Sequence, residues 1–476
     1  MKMNRGGAHK CVYSSGLKGK RVKERLLDAL KKSTADYAEI RFETNDSNQI
    51  SFRGDEIDSV STGKFAGGIV RACTKGGWGE ATFDTLDDLE YQIAEACRTA
   101  ALVGREKTEL AGAEAPVDAT VAARLERDFR GVSLDEKLKL ASKYNEIILK
   151  ADPSIETSRV RYADSFRTVH FASTRGVFYS EERPRVYMVF TAVARNGSLV
   201  QQAYDGVSSA VTYKAVEGLE KVVEETARRA AALLKAPPCQ GGKHSVILDP
   251  ELGGVFAHEA FGHLSEADFL YENAKVRDLM HLGREMGARE LNIIDDGSFD
   301  HYIGTHAYDD EGTATRKTYL IRGGVLVGHL HSLETAAKMG EKPTGNARAI
   351  GRGYPPIVRM TNTYIENGHS TFEELIRDID NGIYACGMLG GQTMMEMFTF
   401  SAAYGYRIEN GRLGELVRDV MLTGNVFETL HAMDGFAGDM KIYQKGGGCG
   451  KGGQFPLPVA FGAPHLRIRD VVIGGK

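Results

Sequence analysis

Between residues 235 and 243 the chain reads Lys-Ala-Pro-Pro-Cys-Gln-Gly-Gly-Lys, and neither a helix nor a strand runs through such a segment. Adjacent prolines lack the amide protons both elements need, and the glycines that follow remove the bias that would restart either. The segment marks the sharpest domain boundary in a chain of 476 residues, which is too long for one ordinary core.

Ahead of this boundary, Val22, Leu26, Leu27 and Leu30 recur at helical intervals within 17–33. Residues 37–42 and 49–53 alternate as strands, Gly54-Asp55 makes a turn, and 67–72 forms a short strand. A helix over 86–103 follows, with Thr85 available as its N-cap. This gives an α+β unit over 17–104. Residues 105–130 are weakly patterned and read as a peripheral linker. Ser133 and Glu136 form a capping box for a helix to Lys150. Strands at 159–165, 168–172, 177–180 and 185–194 and a helix at 213–235 complete a second α+β unit, 105–235. Residues 1–16 have basic groups but no apolar run behind them, so they read as a disordered tail and not as a secretory signal.

The third unit, 236–476, holds most of the 55 glycines, with apolar strands between them, a pattern of tight turns rather than disorder. Asp249-Pro250 starts a helix as N-cap and first helical residue. Hairpins turn at Arg322-Gly323-Gly324 and at Asn410-Gly411, and 466–473 alternates. The fold class is α+β: mixed, mostly antiparallel sheets with helices, two N-terminal α/β units and a strand-rich C-terminal domain.

With 60 basic and 64 acidic residues, the chain lacks the overall positive charge of a general nucleic-acid binder. No apolar run approaches the roughly 20 residues needed to span a bilayer, so no membrane partner is expected. Six cysteines (Cys11, Cys73, Cys97, Cys239, Cys386 and Cys449) form no CxxC pair, as in a reduced, cytoplasmic protein.

The helix after Asp249 carries His258-Glu259-Ala260-Phe261-Gly262-His263. Metal-binding helices normally separate two histidines by four residues, which puts them on one face with a Glu beside the first as base. Here the spacing is five, and at about 100° per residue a regular helix turns the two rings about 140° apart. Either a π-type bulge absorbs the extra residue, with Gly262 a suitable place for the distortion, or the two histidines are not both ligands. Another grouping is Glu259, His263 and Glu266, which share a helical face. Cys449 stands among glycines between Lys445 and Lys451, a setting unlike the apolar run of a structural cysteine and one in which both lysines would favour thiolate. The bland alternative is a flexible loop with an incidental cysteine.

The His-Glu string, with Ser265-Glu-Ala-Asp268 after it, resembles the TldD/PmbA family of metallopeptidases, on its TldD side. Further stretches match in order: Tyr308-Asp-Asp-Glu-Gly-Thr313, Lys342-Pro-Thr-Gly-Asn-Ala-Arg348, Arg359-Met-Thr-Asn-Thr-Tyr364, Gly390-Gly-Gln392 and Gly448-Cys-Gly-Lys-Gly-Gly-Gln454. The resemblance is strong over about 244–476 and weaker over 20–235. It implies one zinc ion per subunit held by His258, His263 and Cys449, with Glu259 as the catalytic base. It also implies short or unfolded peptide substrates and a dimer, either with a non-metal TldE/PmbA-type homologue or with a second copy. The alternative function is a non-catalytic peptide-binding or modulator protein with a structural zinc. A donor for the oxyanion is sought at His329, His331 or glycine-rich backbone. The acidic run Asp309-Asp310-Glu311 either orients the ligand imidazoles or forms a solvated turn.

Overall fold

The computed structural model describes residues 19–106, 109–112 and 117–474; the tail expected at 1–16, and Cys11 within it, lie outside the described residues. Strands β1 (Tyr37–Arg53), β2 (Glu56–Thr74) and β3 (Gly77–Phe83) form a meander between helices α1 (Gly19–Leu30) and α2 (Leu89–Val103). Then come β4 (Asp118–Val121), α3 (Leu134–Lys150), β5 (Ile155–Ser173), β6 (Phe178–Asn196), β7 (Leu199–Ser209) and α4 (Glu220–Leu233). All seven strands belong to one sheet in the order β3-β2-β1-β5-β6-β4, with β7 also on β6. The seam is β1, which pairs antiparallel with β2 on one side and, from Glu39↔Ser173 to Arg53↔Arg159, with β5 on the other.

Several expected short strands are therefore pieces of long ones. Residues 37–42 and 49–53 join through the polar stretch 43–48 because both neighbours hydrogen-bond it. Likewise 159–165 joins 168–172, and 177–180 joins 185–194, through Pro184. Pro184 falls between the stretches of β6 that pair with β4 and with β7, where no third strand needs its missing amide proton. The helix over 86–103 begins as a 3-10 turn, and Thr85 makes no capping bond with its side chain. The Ser133–Glu136 capping box is present. Residues 213–216 form a separate 3-10 turn, broken from α4 at Gly218.

The even-numbered residues of β1 explain where the helices sit. Ile40 and Phe42 pack with α1 and α2, while Ile50 and Phe52 pack with α3 and α4 at the other end of the same face. The odd-numbered residues Glu39, Arg41 and Glu43 are buried as well, because the third unit covers the opposite face. Arg41 donates to the carbonyls of Gly351 and Tyr354, at 2.9 and 2.7 Å.

In the third unit, β8 (Gly242–Leu248) pairs in parallel with 381–394 and antiparallel with 466–474. The strands 421–425 and 397–409 complete the circuit back to 381–394, so this sheet closes on itself. A second, six-stranded sheet takes 325–326, 317–322, 293–296, 362–365, 460–463 and 441–443. Between the sheets lies the buried helix α5 (Pro250–Val255). It approaches so closely that a Cβ on Gly254 would stand 2.6 Å from Gly462 Cα. Both expected hairpins are present, with Gly323, Gly324, Asn410 and Gly411 at positive φ.

Candidate metal centre

The centre is built at the end of α5. Asp249 accepts the Leu252 amide at 2.8 Å and Pro250 occupies the first turn, which aims the helix between the sheets. From Phe256 to Gly262 the backbone is a π-helix, and the His263 amide donates to the His258 carbonyl, an i→i+5 bond. One residue is thus added to the turn, and five residues bring the rings together: their centroids are 5.3 Å apart at 81°. Of the two readings left open by the spacing, the bulged turn is the one observed. Gly262 lies within this turn, as expected, and what it contributes is the absence of a side chain, not an unusual backbone. Its φ and ψ are helical, and its missing Cβ makes room for Met360 Sδ, which would lie 2.0 Å from that atom.

Cys449 is not in a flexible loop. It opens a two-stranded hairpin, Cys449–Lys451 with Gln454–Leu457, that turns on Gly452 and Gly453 at positive φ. The hairpin is pinned by Gln454, which accepts the Ile350 amide at 2.9 Å. The preceding glycines are held by the N-terminal sheet, Gly446 N–H donating to Ser208 Oγ at 2.6 Å. Cys449 Sγ stands 3.3 Å from His263 Nε2, and the ligand atoms of His258, His263 and Cys449 all lie within 4.8 Å of one another.

His258 is 3% exposed, and neither of its ring nitrogens has a hydrogen-bond partner. Burial by itself would raise the Cys449 thiol; the two imidazoles override it and bring the group down to about 4. Burial disfavours charge on His263 too, but Glu266 and Cys449 raise its pKa well above the ordinary value. Lys445 and Lys451, expected to favour the thiolate, are instead held by carboxylates: Lys445 by Glu251 and Asp205, at 2.6 and 2.9 Å, and Lys451 by Asp268 and Glu266, at 2.6 and 3.0 Å.

Glu259 and Glu266 take different sides of His263. Glu266 is buried and meets Nδ1 at 2.9 Å, orienting the ring so that Nε2 faces the sulfur. His263 and Lys451 overcome the effect of burial and hold the Glu266 carboxyl down to about 2. Glu259 stays 28% exposed, its carboxylate 3.7 Å from His263 Nε2. The shared-face grouping of Glu259, His263 and Glu266 is therefore split by the ring between them. The Glu266–Lys451 pair was not foreseen; its signal was the acidic residue three places after the second histidine.

Neither reading of Asp309-Asp310-Glu311 holds, since all three are buried and their partners lie elsewhere. Asp309 accepts the amides of Glu311 and Thr313 at 3.0 and 2.8 Å, Asp310 meets Arg183 of β6 at 2.9 Å, and Glu311 meets Arg71 of β2 at 3.3 Å. They join the third unit to the N-terminal sheet. His329 has both ring nitrogens engaged, by Glu341 and by the Met280 carbonyl, each at 2.8 Å, which leaves it no donor for an oxyanion.

A thiolate and two imidazoles converging in a buried turn define a candidate transition-metal centre. Comparison with known proteins agrees in class. The three domains of the PmbA/TldA metallopeptidases match in order: domain 1 at 38–103, the central domain at 127–234 and the C-terminal domain at 241–475. A metalloprotease of Synechocystis is 45% identical over 444 residues, covering 93% of this chain and 96% of the relative. A zinc metalloprotease TldD homolog of Saccharolobus solfataricus is 28% identical over 93% of this chain and 97% of its own length. The chain belongs to the PmbA/TldD metallopeptidase family. In fold it is similar to TldE from Thermococcus kodakarensis, with a TM-score of 0.77 at 19% identity over 95% of this chain and 100% of that one. Among the described residues no helix is long and apolar enough to cross a membrane.

Proposed function

We propose that the protein is a zinc-dependent peptidase acting on short or unfolded peptides, with one catalytic zinc per subunit on His258, His263 and Cys449 and with Glu259 as general base. The observation that carries this is the convergence at His258: a buried imidazole has no well-formed hydrogen bond and stands instead with its donor atom within 4.8 Å of those of His263 and Cys449, the donor set of a zinc site. When bound, the metal supplies Lewis-acid polarisation of the scissile carbonyl and of a water molecule. Glu259, next to a ligand and reachable from solvent, takes the water proton and passes it to the leaving amine. Glu266 and Lys451 keep the His263 ring fixed through the cycle.

A cleft of about 960 Å³ lies between the N-terminal sheet and the third unit, with room for a short extended peptide. Arg167, Arg183, Arg185, Arg348 and Leu457 are among its lining residues; no residue of the metal centre lines it, and Leu457, the cross-strand neighbour of Cys449, is its link to the centre. A dimer, with a TldE/PmbA-type homologue or a second copy, has an apolar surface to use: Leu389, Met394, Met395 and Met397 are exposed near the tip of one hairpin. The free cysteines 73, 97, 239, 386 and 449 favour a reducing compartment such as the cytoplasm.

The alternative, a non-catalytic peptide-binding or modulator protein with structural zinc, needs the three ligands but not Glu259. Replacing Glu259→Gln should leave the metal content unchanged and lower cleavage of a denatured polypeptide by about 10²–10⁴-fold. Cleavage at the wild-type rate would remove the catalytic reading.

A further inference from the structure

A second cluster of metal-ligating side chains lies outside this centre. His329 and His331 alternate on one side of an extended segment whose intervening residue, Leu330, is bound to the chain just after the π-turn. The Leu330 amide donates to the Ser265 carbonyl at 2.9 Å, and the Ala267 amide donates to the Leu330 carbonyl at 3.0 Å. A seven-residue helix, 333–339, follows and is stopped by Gly340 in the left-handed region. That reversal returns the chain and brings Glu341 against both rings: Oε1 is 2.8 Å from His329 Nδ1 and Oε2 is 3.2 Å from His331 Nε2.

The hydrogen-bond inventory at this cluster leaves one buried ring nitrogen unmatched. His329 Nε2 faces the Met280 carbonyl at 2.8 Å, which only accepts, so that nitrogen carries the ring proton. Its Nδ1 faces a carboxylate oxygen of Glu341 at 2.8 Å. His331 is 1% exposed, and its Nε2 has no hydrogen-bond partner although it faces the same carboxylate. His331 Nδ1 meets Thr335 Oγ1 at 3.2 Å, so its buried Nε2, beside the second carboxylate oxygen, is the ring atom left for a further ligand. The separations also suit one shared cation. At metal–ligand bonds of about 2.0–2.1 Å, atoms 2.8–3.2 Å apart subtend roughly 85–105°, and the three ligand atoms lie within 4.8 Å of one another.

We propose that His329, His331 and Glu341 form a second metal site that takes one divalent first-row transition ion, with zinc the best match to two imidazoles and a carboxylate. Its role is to clamp the 329–331 segment, and through Leu330 the chain leaving the His263 turn. Glu341 is 20% exposed, which leaves an edge open for entry of the ion and for a water ligand. The site stands or falls independently of the peptidase reading.

The test is equilibrium titration of the full-length, chelator-stripped protein with Co²⁺, read by bound metal and by the thiolate-to-cobalt charge-transfer band, which only Cys449 ligation produces. Wild type should take up two equivalents, one of them without that band. The His329→Gln/His331→Gln double variant should take up one equivalent with the band intact. Glu341→Gln, an isosteric change at a partly exposed side chain, should weaken the band-silent equivalent at least tenfold; it serves as the test if the double variant fails to fold. Absence of a band-silent equivalent in wild type, or its survival unchanged in Glu341→Gln, overturns the second site. Loss of the band in wild type would instead count against Cys449, whatever the second equivalent does.

Discussion

Two histidine pairs in this molecule meet partners in opposite ways. His329 and His331 are two residues apart on extended backbone, and their carboxylate follows ten residues later, beyond one short helix. His258 and His263 are five apart on a π-turn, and their sulfur comes from a hairpin 186 residues further along. The first cluster is assembled by local geometry: alternation along extended backbone, a short helix and the left-handed glycine that stops it. The second exists only because the third unit's two sheets clamp a helix and a distant hairpin together. Each cluster pairs one histidine fully, His263 with Glu266 and Cys449 and His329 with Glu341 and the Met280 carbonyl, and leaves ring nitrogen unmatched on the other, both atoms of His258 and Nε2 of His331.

Removing Cys449 should have the largest effect on that contrast. Cys449→Ser should lose the metal equivalent that gives the charge-transfer band, as measured by titration, and leave metal bound at His329, His331 and Glu341; a full band in the variant would dissolve the distinction between the two pairs. Next comes the outer partner of the π-turn pair. Glu266→Gln should lower metal affinity at that centre by about 10–100-fold, because the carboxylate both orients His263 and raises its basicity. Competition with a chelating dye reads this directly, and an unchanged affinity would show that the hairpin alone sets the geometry. The smallest effect tests the packing that holds the turn. Gly262→Ala forces a Cβ onto Met360 Sδ and should destabilise the fold by about 1–3 kcal/mol in chemical denaturation; a Met360→Ala background should relieve that clash, and equal loss in both backgrounds would mean the turn needs glycine for another reason.

Much of the fold could be read along the chain. The Ser133 capping box, the Asp249-Pro250 helix start and the Asn410-Gly411 hairpin each rest on one or two residues whose backbone preferences act locally, and all three are present. Strand lengths were less legible. The polar stretch 43–48 and Pro184 look like breaks in isolation, yet neighbouring strands carry the chain through both. β7 was missed altogether, and the charged face of β1 is buried because another unit covers it.

By itself, the sequence determined the candidate ligand types, the off-register spacing of the two histidines and the glycine setting of Cys449, because these follow from residue chemistry and local backbone freedom. Only tertiary structure decided that the spacing is absorbed by an i→i+5 turn, that Lys451 serves Glu266 rather than the thiolate, and that the acidic run at 309–311 joins two sheets. Those outcomes depend on which distant groups share a low-dielectric interior, and burial and pairing there are properties of the packed chain, not of any segment alone.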